Sequence, residues 1–475
     1  MKQATSRFEN CPGCKIDRLN EDRIGFPYKH LSYIWLVSLC TALPISSLYP
    51  YIYFMIRDFH IASQEEDIGY YAGFVGSSFM VGRGLTSLFW GVLADRYGRK
   101  PIILIGTFSV VIFNTLFGLS STFWMAIASR FLLGCFNSLL GTIRTYASEV
   151  CREEYHALAL SIVSTSRGIG LIIGPAIGGF FAQPAEKYPH LFSENSLFRR
   201  FPYFLPCLII SVYSLAVFIS SWWLPETLHM HRASETNVAE LEASEGLLDE
   251  NENTNRVKAE EVSSFALLKN WPLMSTIIVY CVFSLQETAY TEIFSLWAVS
   301  DKRYGGLSFS SQDVGVVLAI SGLGLLLFQL LLYPSIEKRL GPLTVTRLSA
   351  VISIPILSTY PYIAMLSGFA LHLAVNCASV IRNALSVALV TGLFILLNNA
   401  VPQHQRGAAN GISMTAMSVS KAFGPAGAGA LFSWAQKRQV AVILPGDQLV
   451  FFALNVIVFI GLLLTFKPFM AQLDR

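Results

Sequence analysis

The chain runs to 475 residues, 53% of them hydrophobic and only 14% charged. A soluble protein carries about a quarter charged residues, so the composition excludes an ordinary soluble enzyme. A net charge of +3 scattered along the chain excludes a nucleic-acid binder. Apolar runs of about 20 residues recur from end to end, each long enough to cross a bilayer core of roughly 30 Å, and the expectation is an all-α integral membrane protein.

Residues 1–30 form a polar leader with an excess of basic side chains, expected to be a cytosolic tail. It contains Cys11-Pro12-Gly13-Cys14. A Cys-x-x-Cys pair can supply half a zinc site or do redox chemistry, and it is equally at home in a flexible tail. The other six cysteines are isolated, which argues against a disulfide framework. The run opening at Leu31 is too long for a cleaved signal peptide and lacks a convincing cleavage site, so it counts as the first span.

Spans are expected over Leu31–Ile56, Ile68–Ala94, Ile102–Ser120, Phe123–Ala147, Ala157–Ala182 and Pro202–Leu224. A second set covers Pro272–Val299, Gln312–Pro334, Leu343–Leu366, Asn376–Ala400, Gly407–Trp434 and Leu449–Phe466. The plan is twelve transmembrane helices in two six-helix bundles, 31–224 and 271–467, with a short cytosolic tail over 468–475. Between the bundles, residues 225–270 are rich in Glu, Asn and Ser. That segment buries too little apolar surface to fold alone and reads as a cytosolic acidic linker. Both termini are expected in the cytosol with Glu337-Lys338-Arg339 and Arg406, and the loop holding Glu65, Glu66 and Asp67 outside. Arg199, Arg200, Lys437 and Arg438 run against that orientation.

The turn between the second and third spans reads Trp90-Gly91-Val92-Leu93-Ala94-Asp95-Arg96-Tyr97-Gly98-Arg99-Lys100-Pro101. Gly91 is expected to let a second helix approach, Asp95 to end the incoming helix, and Gly98 to turn the chain at positive φ. Pro101 suits the next helix's first turn, and Arg96, Arg99 and Lys100 mark a cytosolic face. This stretch resembles the Gly-x-x-x-Asp-Arg-x-Gly-Arg-Arg/Lys motif of the major facilitator superfamily. The resemblance implies a charge network, over Gly91, Asp95, Arg96, Gly98, Arg99 and Lys100, that latches the two halves of a transporter together.

The halves repeat. Gly174-Pro175-Ala176-Ile177-Gly178-Gly179 in the fifth span matches Gly424-Pro425-Ala426-Gly427-Ala428-Gly429 in the eleventh, and Glu337-Lys338-Arg339-Leu340-Gly341 is a decayed copy of the charged hairpin. Duplicated halves place a site between them near the midplane. Gly170, Gly174, Pro175, Gly178 and Gly179 resemble the fifth-helix motif of superfamily antiporters, which implies export against an inward proton flow. Small residues allow a dry helix contact, and plain tight packing accounts for the same pattern.

Ionisable groups at membrane depth are costly and therefore functional candidates. Arg83 stands about 18 Å before Asp95 along a helix. Arg167 and Lys421 fall near the middles of the fifth and eleventh spans, and Glu287 well inside the seventh, with Gln286 beside it and Thr291 one turn on. Arg130 resembles the superfamily's fourth-helix arginine, Arg144 lies within snorkelling range of the cytosol, and Glu292 stands closer to the outer end. One reading is internal pairing of Arg83 or Lys421 with Glu287. The other is a polar cavity in which Arg83, Lys421, Arg167, Gln286, Thr291 and Arg130 hold a carboxylate-bearing solute and Glu287 carries the coupling proton. The histidines lie in loops or near span ends, so a metal at mid-membrane would arrive already chelated.

Three stretches narrow the resemblance: Cys11 to Cys14, Leu224-Pro225-Glu226-Thr227-Leu228-His229-Met230-His231, and Arg406-Gly407-Ala408-Ala409-Asn410-Gly411 ahead of Lys421-Ala422-Phe423-Gly424-Pro425-Ala426-Gly427. Together they resemble the plant zinc-induced facilitator family, over nearly the whole chain outside residues 232–262. The resemblance implies a proton-coupled antiporter of the vacuolar (tonoplast) or plasma membrane that exports or sequesters nicotianamine or a mugineic-acid phytosiderophore, free or as its metal chelate. Such a carrier would serve zinc and iron homeostasis. The family often carries an aromatic residue where this chain has Arg167, which opens the choice of solute. One rival is a carrier of a simpler ion or organic anion, such as potassium, an auxin-like acid or free zinc. Another is a non-transporting sensor with Cys11, Cys14, His229 and His231 as regulatory metal ligands. No nucleophile, base and oxyanion arrangement, nucleotide loop or cofactor motif occurs, so neither an enzyme nor a cofactor is expected. The expected partners are the small solute, protons and the bilayer, and the chain is expected to be a monomer.

Overall fold

The computed structural model describes residues 11–22, 28–137, 139–152, 155–193, 195–228, 267–401, 406–439, 441 and 444–470. The first half contains α1 (Pro12–Asp22), α2 (Tyr28–Ser46), α3 (Ile52–Asp58), α4 (Ile68–Tyr97), α5 (Arg99–Gly118), α6 (Phe123–Phe136), α7 (Leu140–Glu149), α8 (His156–Phe181) and α9 (Phe204–Ser221). The second contains α10 (Trp271–Val299), α11 (Ser311–Leu327), α12 (Tyr333–Leu340), α13 (Pro342–Ile363), α14 (Gly368–Asn399), α15 (Arg406–Gln436) and α16 (Asp447–Leu464). Among the described residues, 8 helical stretches are long and apolar enough to cross a membrane by themselves. The remaining expected crossings are α2 with α3, α4, α10 and α15. The last three run 30, 29 and 31 residues; their apolarity is diluted by the polar side chains of the interior, Arg83, Glu287 and Lys421 among them.

Local chemistry explains where the spans depart from expectation. The first span breaks after Ser46 and resumes at Ile52, because Pro50 has no N–H to give and Pro44 already disturbs the preceding turn. The fourth breaks at Asn137 (φ −96°, ψ 34°). The eighth does not stop at Pro334: a wide π turn over Phe328–Leu332 absorbs the proline, and helix continues to Leu340. The tenth opens at Gly368 instead of Asn376, which sets Arg382 deep within it. The leader contributes a helix, α1, beginning inside the Cys-x-x-Cys.

The duplication is visible in the backbone. Gly98 (φ 107°, ψ 163°) joins α4 to α5, and Gly341 (φ 77°, ψ 155°) joins α12 to α13 in nearly the same conformation. The decayed hairpin has kept its turn and lost most of its charge pattern.

The halves meet along two helix pairs, α4 with α15 and α8 with α11. The contacts lie toward the helix ends remote from the Asp95–Lys100 hairpin, and glycine makes them possible. A Cβ on Gly73 would stand 2.4 Å from the Pro425 carbonyl oxygen, and one on Gly429 2.2 Å from that of Gly69. A Cβ on Gly179 would stand 2.8 Å from Gly315 Cα. Ion pairs reinforce this seal: Lys437 Nζ lies 2.6 Å from Asp67 Oδ1, and Arg303 pairs with Glu65. The first half supplies the acids and the second the bases, which accounts for Lys437 lying against the expected charge asymmetry. The molecule is closed on this far face and open on the hairpin face.

Candidate functional site

A cavity of about 590 Å³ enters between the halves from the hairpin face. Asp95 and Arg99 stand on its wall near the mouth, with Arg83 and Arg144 on the first half and Met414 and Ser418 of α15 opposite. Arg167 lies one turn beyond the lining residue Ser164 on α8, within electrostatic reach of Arg83, Arg144 and Glu287. No described residue gives Arg83 or Arg167 an ion-pair partner, and Arg144 Nη1 meets only the soft Met414 Sδ, at 3.8 Å. On the second half Lys421 Nζ lies 3.3 Å from Glu287 Oε2, with side chains 21% and 32% exposed. Of the two pairings considered, Lys421 with Glu287 forms and Arg83 with Glu287 does not. Arg83 and Arg144 line the cavity, while Arg167 and the internally paired Lys421 and Glu287 stand outside its lining. A guanidinium fork suits bidentate carboxylate binding.

Three expected solute ligands are turned elsewhere. Gln286 is 5% exposed and its Oε1 accepts from Arg382 Nη2 at 2.8 Å. Arg130 is 2% exposed; its Nη1 donates to the Pro44 carbonyl at 2.9 Å, and its guanidinium lies 5.2 Å from the Phe79 and Phe117 ring centroids. Thr291 Oγ1 donates back to the Glu287 carbonyl at 2.9 Å. These groups fix helices and do not face the cavity, since depth in the sequence places a residue along a helix axis and not around it. Arg382 was not among the expected cations. Its guanidinium sits 3.6 Å from the Tyr290 ring centroid, and Tyr290 shares a 2.6 Å hydroxyl contact with Tyr360. An arginine inside an apolar run was the available signal, masked by placing the start of the tenth span too late.

The described contacts of the hairpin lie within the first half and with the start of the linker that follows it. Arg99 Nη1 lies 2.7 Å from Asp95 Oδ1, and Nη2 lies 3.0 Å from Glu149 Oε1. Thr227 Oγ1 donates to Glu149 Oε2 at 2.6 Å. Glu226 Oε1 accepts from the backbone N–H of Arg99, Thr227 and Leu228 at 2.9, 2.9 and 3.1 Å, and Oε2 from that of Lys100 at 3.1 Å. A carboxylate thus caps the N-terminus of α5, where free N–H groups and the helix dipole favour negative charge. Gly98 meets two demands: its positive φ, and a Cβ that would lie 2.4 Å from Glu226 Oε2. Lys100 Nζ donates to the Trp222 carbonyl at 2.7 Å. Arg96 lies over the Tyr97 ring, at 5.8 Å. Gly91, expected against another helix, has nothing near its side-chain position because it borders the open cavity. Sequence reasoning missed Glu149 and Glu226, although Pro225-Glu226-Thr227 directly after an apolar run was a visible signal.

The glycine motifs pack mostly within their own halves, with Gly179 and Pro425 reaching the seal. A Cβ on Gly170 would reach 2.7 Å from Ala42 Cβ, on Gly174 1.9 Å from Ser46 Oγ, and on Gly178 2.0 Å from the Ser47 carbonyl oxygen. On the second half, a Cβ on Gly424 would stand 2.3 Å from Thr288 Oγ1, while Pro425 lies against Gly73. In the leader, Gly13 N–H donates to the Leu228 carbonyl at 3.1 Å, and Cys11 Sγ lies 3.9 Å from the same oxygen. The Cys-x-x-Cys turn therefore docks directly after the Glu226 cap. His229 and His231 lie outside the described residues. Among the described residues, no group of three or more His, Cys, Asp or Glu is placed to hold a metal.

The chain matches the sequence profile of the Major Facilitator Superfamily over residues 34–425. It is 70% identical over 478 residues to an Arabidopsis thaliana protein named a probable peptide/nitrate transporter, with 98% of this chain and 97% of that one covered. It is 59% identical over 472 residues to Protein ZINC INDUCED FACILITATOR 1 of Arabidopsis thaliana, again with 98% and 97% covered. In fold it is similar to a bacterial homologue of the human lysosomal transporter Spinster, inward-facing and unoccupied, with a TM-score of 0.69 at 15% identity over 93% of this chain and 97% of that one. Two six-helix halves around a cavity open on one face, with this relationship over nearly the full length, place the chain in the major facilitator superfamily of membrane transporters and, within it, in the zinc-induced facilitator family.

Proposed function

We propose that this transporter is a proton-coupled antiporter that moves a small amino-carboxylate metal chelator, of the nicotianamine or mugineic-acid type, out of the cytosol across the tonoplast or plasma membrane. The observation that carries the reading is the cluster of Arg83, Arg144 and Arg167, which no described acid joins in an ion pair, with Arg167 in electrostatic reach of Glu287 in the part-exposed Lys421–Glu287 pair. Carboxylates of the solute bind the arginines and draw Lys421 away from Glu287. The freed Glu287 takes either the solute's ammonium group or a proton, so solute and proton compete for one charge balance. With the hairpin face and both termini cytosolic, the cavity loads from the cytosol. In proteoliposomes bearing an imposed pH difference, labelled nicotianamine should accumulate and unlabelled chelator should compete. Failure of every amino-carboxylate to accumulate rejects the reading.

A second reading, a simpler organic or inorganic anion, draws on the same pair: Lys421 already occupies the acid that a substrate ammonium would need. Competition by a monocarboxylate or by nitrate, with no effect of amino-carboxylates, would favour it.

A further inference from the structure

Five residues beyond Glu287 on α10, Glu292 occupies a different environment. Glu287 is part-exposed and has a lysine beside it, whereas Glu292 is 1% exposed and its Oε1 has no hydrogen-bond partner among the described residues. Its other oxygen points into the seal between the halves. A Cβ on Gly76 of α4 would stand 3.1 Å from Glu292 Oε2 and 3.0 Å from Pro425 Cβ of α15. The carboxyl group is therefore wedged where α4, α10 and α15 converge. Next to it, Ala426 N–H of α15 donates to Ser77 Oγ of α4 at 2.8 Å. Gly76 leaves the space that the acid head fills.

The charges around it are few. Arg130 on α6 acts on Glu292 electrostatically, but no salt bridge joins them, and the guanidinium is engaged by the Pro44 carbonyl and two aromatic rings. Tyr49, in the break between α2 and α3, lies within electrostatic reach of Glu292, Glu287 and Arg130. Lys421 on α15 is taken by Glu287. A carboxylate sealed from water with no partner among the described residues is costly unless it carries a proton.

We propose that Glu292 is a proton-binding site of the transport cycle, sealed within the α4–α15 contact in this conformation and opened to the far face when those helices part. The proposal rests on the proton-coupled reading and adds to it a second acid with a separate exposure. Glu287 and Glu292 stand about 7.5 Å apart along one helix, one part-exposed beside Lys421 and the other in the closed seam. Rocking of the halves exchanges which of them meets water. The coupling proton then has a resting place on the far side of the solute, and the seal cannot re-form cheaply until Glu292 is neutral.

Infrared spectroscopy of the purified full-length chain in liposomes, without solute and at neutral pH, tests the protonation directly. The carbonyl band of protonated carboxylic acids should lose a component in Glu292→Gln, keep it in Glu287→Gln and keep it at a shifted frequency in Glu292→Asp. An identical band in wild type and Glu292→Gln overturns the proposal. Flux supplies a second measurement: Glu292→Gln should lose solute accumulation driven by a pH difference while keeping solute exchange at equal pH. Undiminished pH-driven accumulation in that variant also overturns it. A wild-type chain that accumulates nothing under a pH difference refutes the antiport reading instead, and the infrared band then decides Glu292 alone.

Discussion

Lys421 and Glu287 hold each other at 3.3 Å from neighbouring helices of the second half, and both side chains remain part-exposed. A pair that water can reach is a pair that a solute can divide. Glu287→Gln should abolish the response of uptake to a pH difference and leave exchange of solute for solute measurable. Lys421→Gln should weaken solute affinity by roughly tenfold, the scale of one lost charge-assisted bond. Counterflow and pH-jump assays in the same liposomes separate the two effects.

Arg83 has the opposite relation to its surroundings, since its charged neighbours Arg144 and Arg167 repel it. Arg83→Gln should raise the half-saturating concentration of an anionic solute by roughly tenfold. The same change should leave the melting temperature unchanged or raise it, because like charges are separated. A lower melting temperature without a change in affinity would assign Arg83 a packing role only.

The hairpin network predicts a split between stability and turnover. Glu226 accepts four backbone N–H groups, so Glu226→Gln should cost about 1.5–3 kcal/mol and lower the melting temperature. The Asp95 side chain is 72% exposed, and an exposed ion pair contributes at most about 1 kcal/mol. Asp95→Asn should leave the melting temperature nearly untouched yet slow transport. Equal thermal losses in the two variants would contradict the assignment of Glu226 as the structural member.

Lys187 closes the far face from another direction. Its Nζ donates to the Gly179 carbonyl at 2.5 Å and to Ser311 Oγ at 2.7 Å, bridging the halves. Burial pushes its amine down from 10.5 to about 8, against the opposing pull of Asp313 and Glu186. Between those two values the unfolded chain holds this proton and the folded chain does not. The site's penalty is thus full below about 8 and relieved as pH rises toward 10.5. Lys187→Met should flatten that part of the melting temperature's pH dependence. An unchanged slope would show that the amine titrates normally.

Cys11 docks beside Leu228, and neither leader cysteine is among the cavity's lining residues. Cys11→Ser with Cys14→Ser should keep substantial solute transport, with any change confined to its response to added zinc or oxidant. Complete loss of flux at normal expression and targeting would place the cysteines in the transport machinery.

Much of this organisation was legible because bilayers impose it. Length and apolarity gave the spans, and glycine with charge gave the Gly98 turn. The cost of burying ions brought Arg83, Arg167, Lys421 and Glu287 forward. What the sequence hid was angular and relational. Nothing in the spacing says that Gln286 turns toward Arg382, or that Arg130 lies between two phenylalanines while Arg83 lines a cavity. Nor does it say that Arg99 reaches Glu149, because that contact depends on where α7 resumes after the break at Asn137. Helix ends misled where prolines were absorbed, as at Pro334, and where a polar start concealed a long helix, as at Gly368.

The arginine cluster makes the transporter an electrical device. Arg83, Arg99 and Arg144 outnumber Asp95 on the cavity wall, and Arg167 adds a further positive charge within electrostatic reach of Arg83. Membrane voltage drops across the insulating seal and not across the water-filled vestibule. When the seal changes faces, these charges pass from one potential to the other with little movement, at about 2.3 kcal/mol per elementary charge for each 100 mV. On the proposed function, the empty carrier should feel the voltage strongly, while one filled with a polycarboxylate should be closer to neutral and feel it less. The membrane potential acts chiefly on the unladen return stroke, and the direction of that stroke sets the cell's electrical bias on the whole cycle.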